Sequence, residues 1–328
     1  MNKIILLLFL LVAFILLFLS QKKHDFFTSY FSNNKNIKLI NKNEASNVIR
    51  SINTFNMYTK YDKKLRGIGV DEDIPTHYIN KLEDWTDREK QVMNWLISSL
   101  IEKTPEEYKF IYKDVKLAKF QNGVENGFPH TNADTIFVTN TFVSNILPYF
   151  NENNINKALD NIGSVIIHEC VHIWQRREAE FFDSLYKSWN FTKGDTIYNF
   201  NKINKKSRYN PDGVNINWIF RCDTDDRDIL PMAVYRDDAV TIGEVNLIGV
   251  YCEKLNGHPI IPPLPKTEYL FNIVDFTNMF GKIGSNNYHP NELSAEIISI
   301  FLIDNMLNKK TTYASLALQK YKTEFHKR

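Results

Sequence analysis

The chain has 328 residues, of which 43% are apolar and 24% charged, and its formal net charge is +2. That length allows one or two domains and excludes a long repeat array, and the apolar content excludes a disordered chain. The near-neutral charge supplies no field to attract nucleic acid, which is not expected as a partner.

The N-terminus opens with an unbroken apolar run over residues 4–19, flanked by Lys3 and by Lys22-Lys23. The run is slightly short for a comfortable membrane span of about 17–25 residues. It is longer than the core of a signal peptide, about 7–15 residues, and no small-x-small cleavage site follows. Residues 1–24 are therefore expected to be a single-pass N-terminal membrane anchor, the alternative being secretion after cleavage. Lysines on both flanks leave the orientation open. Residues 25–80 read as a juxtamembrane region with a short amphipathic helix over 44–52. Residues 81–310 read as the main folded domain and 311–328 as a basic tail.

Within residues 81–310, Thr86 and Glu89 have capping-box spacing, and Val92, Leu96 and Leu100 form an apolar stripe before Pro105. Residues 108–120 and 135–138 read as strands. A long helix is predicted over 156–189, a polar loop over 202–212, and short strands over 218–220, 233–235 and 244–251. A proline-rich connection over 259–265 leads to a last helix over 291–307. This order predicts an α+β fold. Cys170, Cys222 and Cys252 are too few for a disulfide framework, and no C-x-x-C pair offers a four-cysteine zinc site. A single Cys222–Cys252 bridge stays open.

The predicted long helix carries His168-Glu169-Cys170-Val171-His172. Four residues advance a helix by about 400°, so both imidazoles share one face, a turn apart. Two nitrogens so placed can grip one Zn2+, and Glu169 can take a proton from water that zinc has acidified. The flanks Val165-Ile166-Ile167 and Ile173-Trp174 predict a buried helix, where unpaired histidines would be costly. A third ligand is expected. Glu178 lies six residues after His172, but a continuing helix would turn it off the metal face. Glu292 and Glu296 share one face of the last helix, whose first turn holds Pro290. One could bind metal while the other orients a ligating histidine.

The pair His168-Glu169-x-x-His172 and Asn291-Glu292-x-x-x-Glu296 resembles the gluzincin group of zincin metallopeptidases. The resemblance covers the two helices and the strand over 135–138, which would border the cleft and pair with extended substrate. It implies a zincin-like domain in which His168, His172 and Glu292 ligate Zn2+ and Glu169 is general base and acid. Glu296 stands where the family has Asp, as an outer partner. Tyr288 and His289 are candidate donors to a developing oxyanion, with Tyr235-Arg236 and His130 as further positions. Asn210-Pro211-Asp212-Gly213 reads as a turn. The expected function is a zinc metallopeptidase acting on peptide or protein substrates. The alternative is a metal-binding structural or interaction protein on a membrane or virion surface.

Overall fold

Two sheets and a layer of helices build the protein, and the computed structural model describes residues 37–194, 205–212, 218–255, 258–281, 287–310 and 315–328. The fold is mixed α+β. The first sheet comprises β1 (Ile37–Leu39), β2 (Leu82–Glu83), β3 (Val115–Phe120), β4 (His130–Asn132) and β5 (Thr135–Thr139). Its order is β1-β3-β5-β4, with β2 paired to the end of β3. Strands β1 and β5 run parallel to β3, and β4 closes antiparallel on β5. Strand β5 is buried throughout, as a strand covered on both faces must be. The strand expected to border a cleft is therefore interior, and the edge belongs to β4.

The strand predicted over 108–120 starts late. Residues Glu106–Tyr112 form a 3-10 helix in which Tyr108 and Ile111, three apart, are buried on one face. The second sheet is antiparallel, in the order β12-β9-β8-β7-β6. Its strands are β6 (Phe191–Lys193), β7 (Trp218–Cys222), β8 (Arg227–Tyr235), β9 (Val245–Tyr251) and β12 (Thr267–Tyr269), beside a hairpin of β10 (Glu253–Leu255) and β11 (His258–Ile260). Strand β8 separates Cys222 from Cys252, whose N–H bonds Asp228 O across from β9. Two strand spacings, about 9–10 Å, exceed the about 7 Å between Cα atoms that a disulfide spans. All three cysteines are free, which corrects the possible bridge.

The longer helices are α1 (Lys42–Arg50), α2 (Asp87–Lys103), α3 (Asn140–Ile146), α4 (Ser164–Arg177), α5 (Ala179–Ser188), α6 (Val274–Phe280), α7 (Pro290–Met306) and α8 (Leu316–Phe325). The Thr86–Glu89 capping box starts α2, and Val92, Leu96 and Leu100 are buried on its inner face. The helix predicted over 156–189 continues through a π-turn and breaks once, at Glu178. A π-turn at Leu159–Gly163 precedes α4, and Glu178, at φ −125° and ψ 55°, separates α4 from α5. A Cβ on Gly163 would lie 3.1 Å from Leu100 Cδ2 and 3.4 Å from Ile303 Cδ1, so glycine lets the start of α4 close against α2 and α7. Helix α7 is buried on nearly every side, and its packing on α4 is the most extensive between helices among the described residues.

Residues expected as a basic tail form α8 instead. Leu318 and Tyr321 are buried there, and Trp189 Nε1 donates to Ala317 O at 3.0 Å. Its lysines hid an apolar stripe on the inner face. From Ile37 onward the expected juxtamembrane region joins the body, through β1 and through Ala45 and Ile49 of α1. Among the described residues no helix is long and apolar enough to cross a membrane, and residues 4–19 lie outside them.

One buried ionic network ties these parts together. Arg66 Nε donates to both oxygens of Glu125, at 2.9 and 3.1 Å, and Nη1 donates to Asp62 Oδ1 at 2.8 Å. Arg66 Nη2 donates to Tyr209 O at 2.9 Å, and the Tyr235 hydroxyl donates to Asp62 Oδ1 at 2.8 Å. Tyr235 thus belongs to this network, while Arg236 pairs with Asp238 and Glu244 outside it. Burial pushes the Glu125 carboxyl up, but the Arg66 guanidinium outweighs it and holds the pKa below the ordinary value. Removing one member strands buried charge, which costs about 3–5 kcal/mol. Arg66→Met should therefore lower the unfolding free energy by about that amount in urea titration; a loss under about 1 kcal/mol would show the network to be dispensable. A carboxyl depressed by folding stabilises fully above its unfolded pKa, and that contribution is lost as pH falls toward the folded value. Stability should accordingly fall below about pH 4.5, less steeply in Glu125→Gln; equal acid slopes for the two proteins would refute this.

Candidate metal centre

The capped start of α7 and the middle of α4 meet at the wall of a cavity of about 400 Å³. His168, Glu169 and Glu292 line it, with Glu296, His130, Arg208, Asn210 and Asp212. Helical spacing stacks the imidazoles of His168 and His172 with centroids 4.8 Å apart and planes at 79°. Glu292 reaches between them. Its Oε2 stands 3.4 Å from His168 Nε2 and its Oε1 stands 3.4 Å from His172 Nε2. These separations are long for a hydrogen bond. They match the edge of a tetrahedron: two ligands about 2.0–2.1 Å from one zinc ion stand about 3.3–3.4 Å apart.

The other ring nitrogens face outer partners. His172 Nδ1 donates to Gln175 Oε1 at 2.9 Å, and the Gln175 amide donates to Asn291 O at 2.8 Å and Ser294 Oγ at 2.9 Å. The glutamine amide, donating through its nitrogen, must accept through its oxygen, so the proton sits on His172 Nδ1 and Nε2 keeps its lone pair. Glu296 Oε2 lies 3.5 Å from His168 Nδ1. Asn210 Nδ2 donates to Glu292 Oε1 at 2.6 Å. Each of the three donors is thus aimed by a further side chain, which is what a metal site requires.

Electrostatics favour a cation at the centre. Burial opposes a charged imidazole at His168, yet Glu292 and Glu296 raise its pKa well above the ordinary value. His172 is raised too: burial works against the charge, and Glu292 and Asp212 outweigh it. Burial also pushes Glu292 up, but the two imidazoles hold it well below the ordinary carboxyl range. Glu169 is pushed up to about 8, by burial first and by the Asp212 carboxylate second. Among the buried atoms that keep no hydrogen-bond partner are Glu169 Oε2 and His172 Nε2, both at this centre. Such orphans are costly unless something else satisfies them. Two imidazole nitrogens and a carboxylate, aimed at one point with an unpartnered nitrogen among them, fit a divalent ion of zinc's size and donor preference.

Of the other sequence candidates, His130 lines the cavity and the rest do not. Tyr288 and His289 are not brought to the cavity wall; both are buried, and His289 Nδ1 caps α7 by accepting from Asn291 N–H. That is a capping place for His289, whereas Tyr288 bonds Arg208, a residue of the cavity wall, and Asn287 lines the cavity itself. Glu178 does end α4, contrary to the expected continuous helix, but it pairs with Arg328 away from the histidines. Cys170 is buried on the opposite face of α4, and burial raises its thiol pKa. His130 is no turn residue: it lies buried in β4, stacked on Phe137 at 5.5 Å.

The stretch read as a turn, by contrast, carries Asn210 and Asp212 to the centre. Their turn-forming sequence hid this, because Asn-Pro-Asp reads the same over a site or over solvent. Gln175 was not singled out in the sequence. It sits three positions after His172, a spacing that brings it onto the same face. No family model, no curated protein and no solved structure matches the chain. The site therefore has to be argued from its own geometry.

Loss of an outer partner typically costs 10–100-fold in metal affinity. Gln175→Ala should weaken Zn2+ binding by about that factor in chelator competition. Unchanged affinity would show that His172 needs no such support.

Proposed function

We propose that the protein is a zinc-dependent metallohydrolase of the zincin type, and a peptidase by substrate class, with His168, His172 and Glu292 holding the ion. The observation that carries the reading is the convergence of two Nε2 atoms and one carboxylate at 3.4 Å separations, with an unpartnered Glu169 oxygen beside them. Zinc, when bound, would acidify water and polarise the carbonyl under attack.

The chain's own residues would do the rest. Gln175 keeps the His172 proton on Nδ1, and Asn210 fixes one oxygen of Glu292. Glu169 Oε2, buried and without a partner, is the atom that receives a proton and later returns it to a leaving amine. A carboxylate used only to balance charge would gain nothing from being left unpaired. This separates the catalytic reading from that of a metal-bearing structural module.

Glu169→Gln keeps the shape and removes the base. It should cut hydrolysis of a peptide library by about 10²–10⁴-fold while Zn2+ still binds the purified full chain. Near-normal hydrolysis in that variant would sink the mechanism. Glu292→Ala should weaken Zn2+ binding sharply; normal affinity would mean that another residue is the third ligand.

A further inference from the structure

Lys81, His77 and Glu72 form a chain of contacts away from the metal centre, and none of the three lines its cavity. The short helix Ile74–Ile79 ends just before Lys81. His77 and Lys81 are four residues apart, and a tight turn in which Lys81 N–H donates to Tyr78 O keeps the two side chains on one side. Lys81 Nζ lies 2.6 Å from His77 Nε2, and His77 Nδ1 lies 2.9 Å from Glu72 Oε1. The other oxygen of Glu72 accepts from Gly69 N–H at 2.9 Å. His77 is buried, Lys81 is half-buried and Glu72 is exposed.

An ammonium only donates, so His77 Nε2 accepts from Lys81, and the ring proton sits on Nδ1 facing Glu72. Lys38, Lys116 and Lys119 have carboxylates as partners, and an opposite charge keeps an ammonium protonated. The hydrogen-bond partner of Lys81 is instead a base. Burial pushes the Lys81 amine down, against the pull of Glu72 and Glu125. A nucleophile within reach of a base, with that base oriented by a third group, is the arrangement that activates nucleophiles in covalent catalysis.

We propose that Lys81 is a nucleophilic amine that takes acyl groups from thioesters, with His77 as its base and Glu72 as the residue that positions His77. The three side chains supply a nucleophile and a base but no donor to a developing oxyanion. The acyl donor therefore has to be activated in itself, which selects a thioester over an amide. The ammonium yields one proton to Nε2, which passes it to water. Nζ then attacks the thioester carbonyl, the C–S bond breaks, and a second proton leaves the nitrogen through Nε2 for the departing thiolate. An amide and a thiol are formed, and nothing is oxidised or reduced. The site shares no residue with the metal centre, so neither proposal depends on the other.

The purified full chain is treated with S-phenyl thioacetate at neutral pH, and acetylation is followed lysine by lysine by mass spectrometry. Lys81 should react about tenfold or more faster than Lys38 or Lys116; a rate no higher than theirs overturns the proposal. His77→Gln, whose amide can hold the lysine but takes no proton, should bring Lys81 down to their rate. An undiminished rate in that variant removes His77 as the base. Glu72→Leu should slow Lys81 as well, while Glu72→Gln, whose amide oxygen still accepts from Nδ1, should keep most of the rate. Equal rates in these two variants refute the positioning role. Glu72 is exposed, so this pair decides the matter even where His77→Gln fails to fold.

Discussion

A carboxylate held 3.4 Å from a nitrogen of each of two imidazoles, at the junction of α4 and α7, is the constraint around which the described structure is arranged. Left to themselves, Glu169, Glu292 and Asp212 form a partly buried cluster of like charge beside two histidines. Burying unpaired carboxylates is expensive, and a divalent cation is the most economical partner for such a set. The pKa values of His168 and His172, raised against the cost of burial, reflect the same negative surroundings, which a bound cation would offset.

The rest of the fold holds that junction in register. Gly163 and the π-turn before α4 let it approach α2 and α7 closely. Ser294 and Asn291 of α7 receive the Gln175 amide, so the packing of the two helices and the orientation of His172 are one contact. Farther out, Arg66 binds Asp62, Glu125 and the carbonyl of Tyr209. That last bond anchors the chain one residue before Asn210, which bonds Glu292. Arg176 holds Asp212 against β4. Residues 209–212 are thus held by arginines drawn from different parts of the chain, while Lys206 and Arg208 bond the backbone of β8.

Much of the architecture was legible in the sequence, and the errors have physical causes. The Thr86 cap, the apolar stripe of α2, the α+β class and the five-residue motif are local patterns, and local patterns survive reading in one dimension. The pairing of His168 and His172 with Glu292 was reachable because each lies at helical spacing on a buried helix. Interior against edge placement of β5 and β4 was not, since it depends on pairing between segments. The α8 stripe was masked by Lys320 and Lys322 on its outer face. Asn210 and Asp212 were hidden for a different reason: turn residues are chosen for backbone geometry, and nothing in that choice tells which surface the turn covers. His289 shows the converse, a residue near the site in sequence that the helix start uses for itself.

The central claim is that this junction holds one zinc ion on two imidazoles and one carboxylate, and metal analysis with X-ray absorption at the zinc edge on the purified full chain tests it most directly. The account predicts about one zinc per chain, with two nitrogen neighbours at about 2.0–2.1 Å and oxygen in the remaining positions. A chain that retains no zinc in the presence of the free ion, or that carries iron in its place, would contradict it.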